Sequence, residues 1–325
     1  MSEALRPRRE VESRPGRTCP LSSRYSPAVF RRDPEIVADT VYVIGGLYGN
    51  VEALDAVHAL AAREAGPVAL VFNGDFHWFD VAPADFSRVT REALDEWALR
   101  GNVETEVAAE DSGAGCGCAY PLDVSDAEVS CSNQILERLR VTARGFPRLR
   151  ERLAELPMNL VARVGEARVG IVHGDAASLA GWGFAQNRLD DPAHKRWIES
   201  AFRAGAVDIF ASTHTCLPAL REFDVDGAPR VVANNGAAGM PNFSGRPAGL
   251  VTRIGAAPFP GPERIFGLAA HGAHVEALEL AYDHARWLAR FLASWPEGSP
   301  AHSSYYRRIV DGPRFTLAQA APRAA

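Results

Sequence analysis

Five times along this chain a short apolar segment runs straight into a small polar turn. The five are "VYVIGGLYGN" (turn Gly45 to Asn50), "VFNGDFHWFD" (Asn73 to Asp80), "ALRGNVE" (Arg100 to Glu104), "GIVHGD" (Val172 to Asp175) and "FASTHTCLP" (Ser212 to Pro218). Apolar runs of this length, bounded by turn residues, read as buried strands. After the first turn Val51, Leu54, Val57 and Leu60 recur at helical spacing. Strand–helix alternation early and a strand-rich second half predict a layered α/β fold, with sheets packed together and helices outside. In such sheets ligands gather at the carboxyl ends of strands, which is where these turns lie.

The remaining segments fit that frame. "ADFSRVTREALDEWAL" and "AEVSCSNQILERLRVTARGFPRLRERLAEL" read as helical, and "MNLVARVGEARVGIVHGD" as a pair of strands ending in a turn. Further strands are predicted at "VDIFAST", "ALREFDV", "PRVVANN", "GLVTRIG" and "VEALELAY", with a last amphipathic helix at "DHARWLARFLASW". Residues 1–38, rich in Arg, Pro and Ser, read as a poorly ordered arm. Residues 39–296 form the expected domain, interrupted by a long loop at 107–125, and 297–325 read as an irregular tail. A loop of that length in a compact domain is usually functional or disordered.

Composition excludes several classes. The 325 residues suffice for a large core, and a net charge of -5 gives no reason to expect a nucleic-acid partner. The apolar runs are too short for a membrane span, and the N-terminus lacks a signal-peptide core. Five cysteines without a disulfide-scaffold pattern point to a reducing, cytoplasmic location and make clustered thiols metal or redox candidates. If the strand ends are adjacent, Asp75, Asn102, His173 and His214 converge. One carboxylate, one amide oxygen and two imidazoles suit a divalent transition metal.

The order Gly-Asn-x-x-Ala-Leu (Gly49 to Leu54), Gly74-Asp75, Gly101-Asn102-x-Glu104, His173-Gly174 and His214-Thr215-x-x-Pro218 resembles the calcineurin-like metallophosphoesterase superfamily. The likeness runs from about Thr40 to Pro241 and ends in "NNGAAGMP". It implies a four-layer αββα sandwich of two mixed β-sheets flanked by helices, two metal ions at the strand ends, and hydrolysis of phosphomonoesters or phosphodiesters. The family's Asp-x-His is replaced here by Gly46-Leu47-Tyr48, and the last histidine of its His-x-His by Cys216. Both changes fall on the first metal. The second-metal set implied by the resemblance, Asp75, Asn102, His173 and His214, is complete. The family's catalytic histidine is Val103, its second acid in Gly-Asp-x-x-Asp is Trp78, and Glu104 keeps its type.

These departures leave alternatives open. Tyr48 either donates a hydrogen bond at the vacated position or plugs it. His77 either replaces the missing acid or base or is a loop residue, and Asp175 either orients a ligand or caps a helix. Cys116, Cys118 and Cys216 either rebuild a soft metal position, or two of them pair as a disulfide, or they are ordinary buried or loop thiols. Arg307 and Arg308 touch an anionic group or a partner chain, or lie in an exposed tail. The expected function is a divergent phosphoesterase acting on a phosphorylated small molecule with one ion of manganese, iron or zinc. Its candidate catalytic residues are His77, Glu104 and Tyr48, and its metal ligands Asp75, Asn102, His173, His214 and Cys216. A non-catalytic metal- or phosphate-binding descendant, or a mononuclear metalloenzyme with a changed reaction, are the other readings.

Overall fold

A computed structural model of the chain describes residues 14–110 and 113–324. Its strands are β1 (Ile36–Val37), β2 (Thr40–Ile44), β3 (Val68–Asn73), β4 (Trp97–Leu99), β5 (Asn159–Val164), β6 (Ala167–Val172), β7 (Ile209–Ser212), β8 (Ala219–Val225), β9 (Ala228–Asn234), β10 (Gly249–Gly255), β11 (Arg264–Ala270), β12 (Ala273–Leu280) and β13 (Arg323–Ala324). They form two mixed sheets, ordered β11-β12-β10-β2-β3-β4 and β1-β5-β6-β7-β9-β8-β13. The longer helices are α1 (Val51–Ala61), α2 (Pro83–Leu94), α3 (Asn102–Ala108), α4 (Asp126–Arg144), α5 (Pro147–Glu155), α6 (Lys195–Gly205), α7 (His284–Ser294) and α8 (Pro300–Asp311).

β2 shows how the layers are built. Val41 and Val43 join Val71, Leu99, Leu160, Val169, Ile171 and Ile209 in the apolar layer between the sheets. Tyr42 and Ile44 point the other way and pack with Val51, Leu54 and Val57 of α1. Both faces of the strand are buried, so its sequence is continuously apolar rather than alternating. On the far side Phe30, Val161, Phe202, Phe210 and Val232 close the second outer layer. The result is the expected αββα sandwich. Strands β2, β3 and β4 run parallel in one sheet, and β6, β7 and β9 in the other. Their carboxyl ends therefore supply turns that meet at one edge.

Four local expectations change. The helix read through Leu99 stops at Leu94, and Trp97–Leu99 pairs with β3 instead; three residues are too few to show a period. The helical run Ala127 to Leu156 divides at Gly145–Phe146, with Pro147 opening α5 where its missing N–H costs nothing. Residues 1–13 of the expected arm lie outside the described residues, but 14–38 pack on the body. There β1 pairs with β5, and Phe30 is fully buried against Phe210. The expected tail contains α8, which packs on α4, because Ala301 and Ile309 give it a buried face. Among the described residues no helix is long and apolar enough to cross a membrane.

Candidate metal centre

The turns that follow the parallel strands are held in costly backbone conformations. Tyr48 (φ 55°), Asp75 (φ 50°), His214 (φ 21°) and Cys216 (φ 60°) all take positive φ without being glycine. Such residues cost about 1–3 kcal/mol each and persist where the surroundings enforce them. Glu104 is one enforcer. Fully buried, its carboxylate accepts from the backbone N–H groups of Asp75 (2.7 Å), Gly101 (2.8 Å) and His77 (3.3 Å), locking the β3 turn to the start of α3. Gly101 is required by close approach, since a Cβ there would stand 2.2 Å from Asp75 Oδ1.

Four side chains then converge. His173 Nε2 lies 3.1 Å from Asn102 Oδ1, 3.1 Å from His214 Nδ1 and 3.3 Å from Asp75 Oδ1. The outer contacts decide what these atoms are. His173 Nδ1 faces the Asn73 carbonyl at 3.0 Å, and His214 Nε2 faces the Cys118 carbonyl at 3.1 Å. A carbonyl only accepts, so both of these nitrogens carry the proton and donate it. Asn102 Nδ2 donates to the Cys116 carbonyl at 2.9 Å, turning its oxygen inward. Three backbone carbonyls thus aim three lone-pair atoms, with the Asp75 carboxylate, at one point. Acceptors so close repel unless a cation lies among them. Their separations match the roughly 3.0–3.4 Å between neighbouring ligands bound at about 2.1 Å.

The electrostatics agree. Burial opposes charge on Asp75, yet the neighbouring His173 holds its carboxyl below the usual range. Burial likewise disfavours a proton on His173, but the Asp75 charge raises its basicity overall. His214 is pushed down to about 3 by burial and by His173, so it stays neutral and available as a ligand. Without an ion, a proton on His173 Nε2 would relieve the crowding of acceptors. A metal ion would displace it.

The other candidates fall outside the cluster. His77 is fully buried, with Nδ1 on Asp80 (2.6 Å), Nε2 on Thr90 (3.0 Å) and its ring stacked on Phe86. Both nitrogens are spent in the core, so the expectation of a catalytic acid or base there is corrected. Glu104, also expected to be catalytic, is sealed behind the turns it braces and positions Asp75. Cys216 is not within ligand range of Asp75, His173 and His214. Its positive φ turns the sulfur to the Tyr48 hydroxyl at 2.8 Å, which corrects its placement as a ligand. Cys116 and Cys118 are bonded to each other, so no three-thiolate position is built. Asp175, buried, accepts from Ala177 and Gly183 N–H groups and shapes the 175–183 turn.

Tyr48 is the departure that shapes the site. A Cβ on Gly46 would meet the Tyr48 ring at 2.9 Å, so the ring fills the space where a side chain at position 46 would go. Burial, then the charges of Cys216 and Asp75, keep the phenol protonated. It borders a cavity of about 260 Å³ whose lining also includes Asp75, Asn102, Val103, Trp182, His214, Tyr305 and Arg308. Trp182 donates its indole N–H to the Cys118 carbonyl (3.0 Å) and packs edge-on to His214. The sequence reading misses Trp182, and leaves the aromatics of "SSYYRRIVDGPRF", Tyr305 among them, open between packing and binding. The signal for Trp182 was its place between two glycines just after the His173 turn.

No protein-family model matches the sequence, and no curated protein matches it. Solved structures do. A metallophosphoesterase from Sphaerobacter thermophilus is 18% identical, with a TM-score of 0.52 over 84% of this chain and 100% of that one. A hypothetical protein from Pyrococcus horikoshii OT3 is 16% identical, with a TM-score of 0.56 over 86% and 100%. The chain has the calcineurin-like metallophosphoesterase fold. On this metallophosphoesterase scaffold the four-atom cluster lies where the parallel strands end, and Tyr48 occupies the neighbouring turn.

Proposed function

We propose that this chain is a metal-dependent phosphoesterase that holds one divalent ion, manganese, iron or zinc, at Asp75, Asn102, His173 and His214. The observation that carries this reading is the convergence of two imidazole nitrogens, an amide oxygen and a carboxylate, of which Asp75, Asn102 and His214 line a cavity. A bound ion would supply Lewis acidity toward a phosphoryl oxygen and acidify a water. The chain's own residues set the rest. Asp75 contributes the charge that favours the ion, and the Asn73, Cys116 and Cys118 carbonyls hold the ligands in register. Val103 offers no proton to a leaving group, so phosphate esters with good leaving groups are the favoured substrates. The site's small volume suits a phosphorylated small molecule.

Elemental analysis of protein purified without chelators tests the reading. The expected result is about one ion per chain, lost in His214→Ala, with hydrolysis of 4-nitrophenyl phosphate or its diester by the loaded protein. A loaded protein inert toward both esters would favour a binding module, the reading that Tyr48 and Val103 support. Failure to take up manganese, iron or zinc after reconstitution would sink the metal site itself.

A further inference from the structure

Arg308 projects from α8 into the same cavity as the metal ligands, together with Ser304 and Tyr305 from the same helix face. Among the described residues no other Arg or Lys lines this cavity. Its Nη2 donates to the Cys216 carbonyl at 2.5 Å, which fixes the guanidinium beside the turn that carries His214. Its Nε is buried and has no hydrogen-bond partner among the described residues. A buried cationic N–H without an acceptor is unfavourable, and an anion seated beside the guanidinium would relieve it.

We propose that Arg308 is the substrate-binding cation of this site: it takes the phosphoryl oxygens on the side where Gly46, Tyr48 and Cys216 leave no second metal. The inference rests on the phosphoesterase reading and names the ligand as a phosphate monoester dianion. Charge balance supports the dianion. Of the groups that line the cavity beside the cluster, Asp75 with one divalent ion gives +1 and Arg308 raises this to +2, which a dianion balances. Glu128 also borders the cavity, but it is exposed at the mouth and bonded to Ser125, where solvent screens it. The Nη2 bond to the Cys216 carbonyl holds the guanidinium at the cavity wall, and a guanidinium is the donor group best matched to phosphate.

The test measures inorganic phosphate binding by calorimetry, with metal content and thermal unfolding recorded for each protein. The proteins are the manganese-loaded full chain, Arg308→Gln and Arg308→Lys. Glutamine keeps an amide donor for the Cys216 carbonyl while removing the charge. Expected are unchanged metal content in both variants, a loss of phosphate affinity of roughly tenfold or more in Arg308→Gln, and partial recovery in Arg308→Lys. Equal phosphate affinity in all three proteins overturns the proposal. Loss of metal together with phosphate in Arg308→Gln also overturns it, because the residue would then be a brace for the His214 turn. Failure of the metal reading looks different, since the unaltered chain then takes up no ion. Phosphate binding that persists there and vanishes in Arg308→Gln supports the clamp, and binding indifferent to the substitution overturns it.

Discussion

Gly46 and Tyr48 work as a pair, because the ring of one fills the space a side chain on the other would need. Neither supplies a ligand, whereas His173 and His214 each present one lone pair inward and donate one N–H outward. His173→Ala and His214→Ala should therefore abolish stoichiometric metal. Tyr48→Phe should leave it intact, removing only the hydroxyl that meets Cys216. Elemental analysis of the three variants checks this, and metal loss in Tyr48→Phe would tie the phenol to the site. Val103 makes a second case. Its backbone N–H serves Asp75 at 3.1 Å, and its side chain borders the cavity. Val103→His should place a general acid there and raise turnover of an alkyl phosphate by up to about 10²-fold, with less gain for 4-nitrophenyl phosphate. Equal gains on both esters would rule out leaving-group protonation. The convergence of Asp75, Asn102, His173 and His214 was legible in the sequence because each lies within three residues of the end of an apolar strand, and the family resemblance implied their role as ligands. The carbonyls that aim them were not, since Asn73, Cys116 and Cys118 act through backbone atoms that no residue type announces.

At the level of elements, the segment between α3 and α4 is the roof of the site. Asn102 and His214 both donate to it, through the carbonyls of Cys116 and Cys118, and Trp182 bonds it from the far side. Its length reads as functional or disordered, and its cysteines leave open sulfur ligation, a disulfide or ordinary thiols; the structure makes the disulfide and uses backbone oxygen. Replacing both cysteines by serine should loosen the carbonyls while leaving every ligand in place. Metal affinity, read by chelator competition, should fall about 10–100-fold, the usual effect of losing an outer-shell partner. The thermal midpoint should move little, because a link between residues two apart closes too short a loop to constrain the unfolded chain strongly. Unchanged affinity would mean that the roof is held by its other bonds. β4 shows the opposite limit of legibility: Trp97–Leu99 fixes where Asn102 emerges, yet three residues after a helix carry no period of their own.

Across the whole molecule, the two ends of the described chain close on the site from outside the sandwich. α8 brings Arg308 to it, and residues 14–38, which composition alone assigns to an unstructured arm, fasten its roof. Composition misleads there because a few long-range contacts do the holding. Arg17, nearly buried, donates to the carbonyls of Pro121 (2.6 Å) and Val124 (2.6 Å) and to Asp126 (2.7 Å). Gly16 bonds Ala114 and Tyr120 through its backbone. Phe30 anchors the same segment in the opposite outer layer, among Phe202 and Phe210. Two substitutions separate these roles. Phe30→Ala empties a fully buried site and should cost about 3–5 kcal/mol of stability, with metal affinity preserved in the folded fraction. Arg17→Ala leaves two carbonyls without their donor, a cost of about 1–3 kcal/mol, and should also weaken metal binding because the roof carries the acceptors for Asn102 and His214. Thermal unfolding and metal titration on both proteins decide the matter. If Arg17→Ala binds metal as tightly as the unaltered chain, the roof keeps its carbonyls in place unaided and the N-terminal segment serves stability alone.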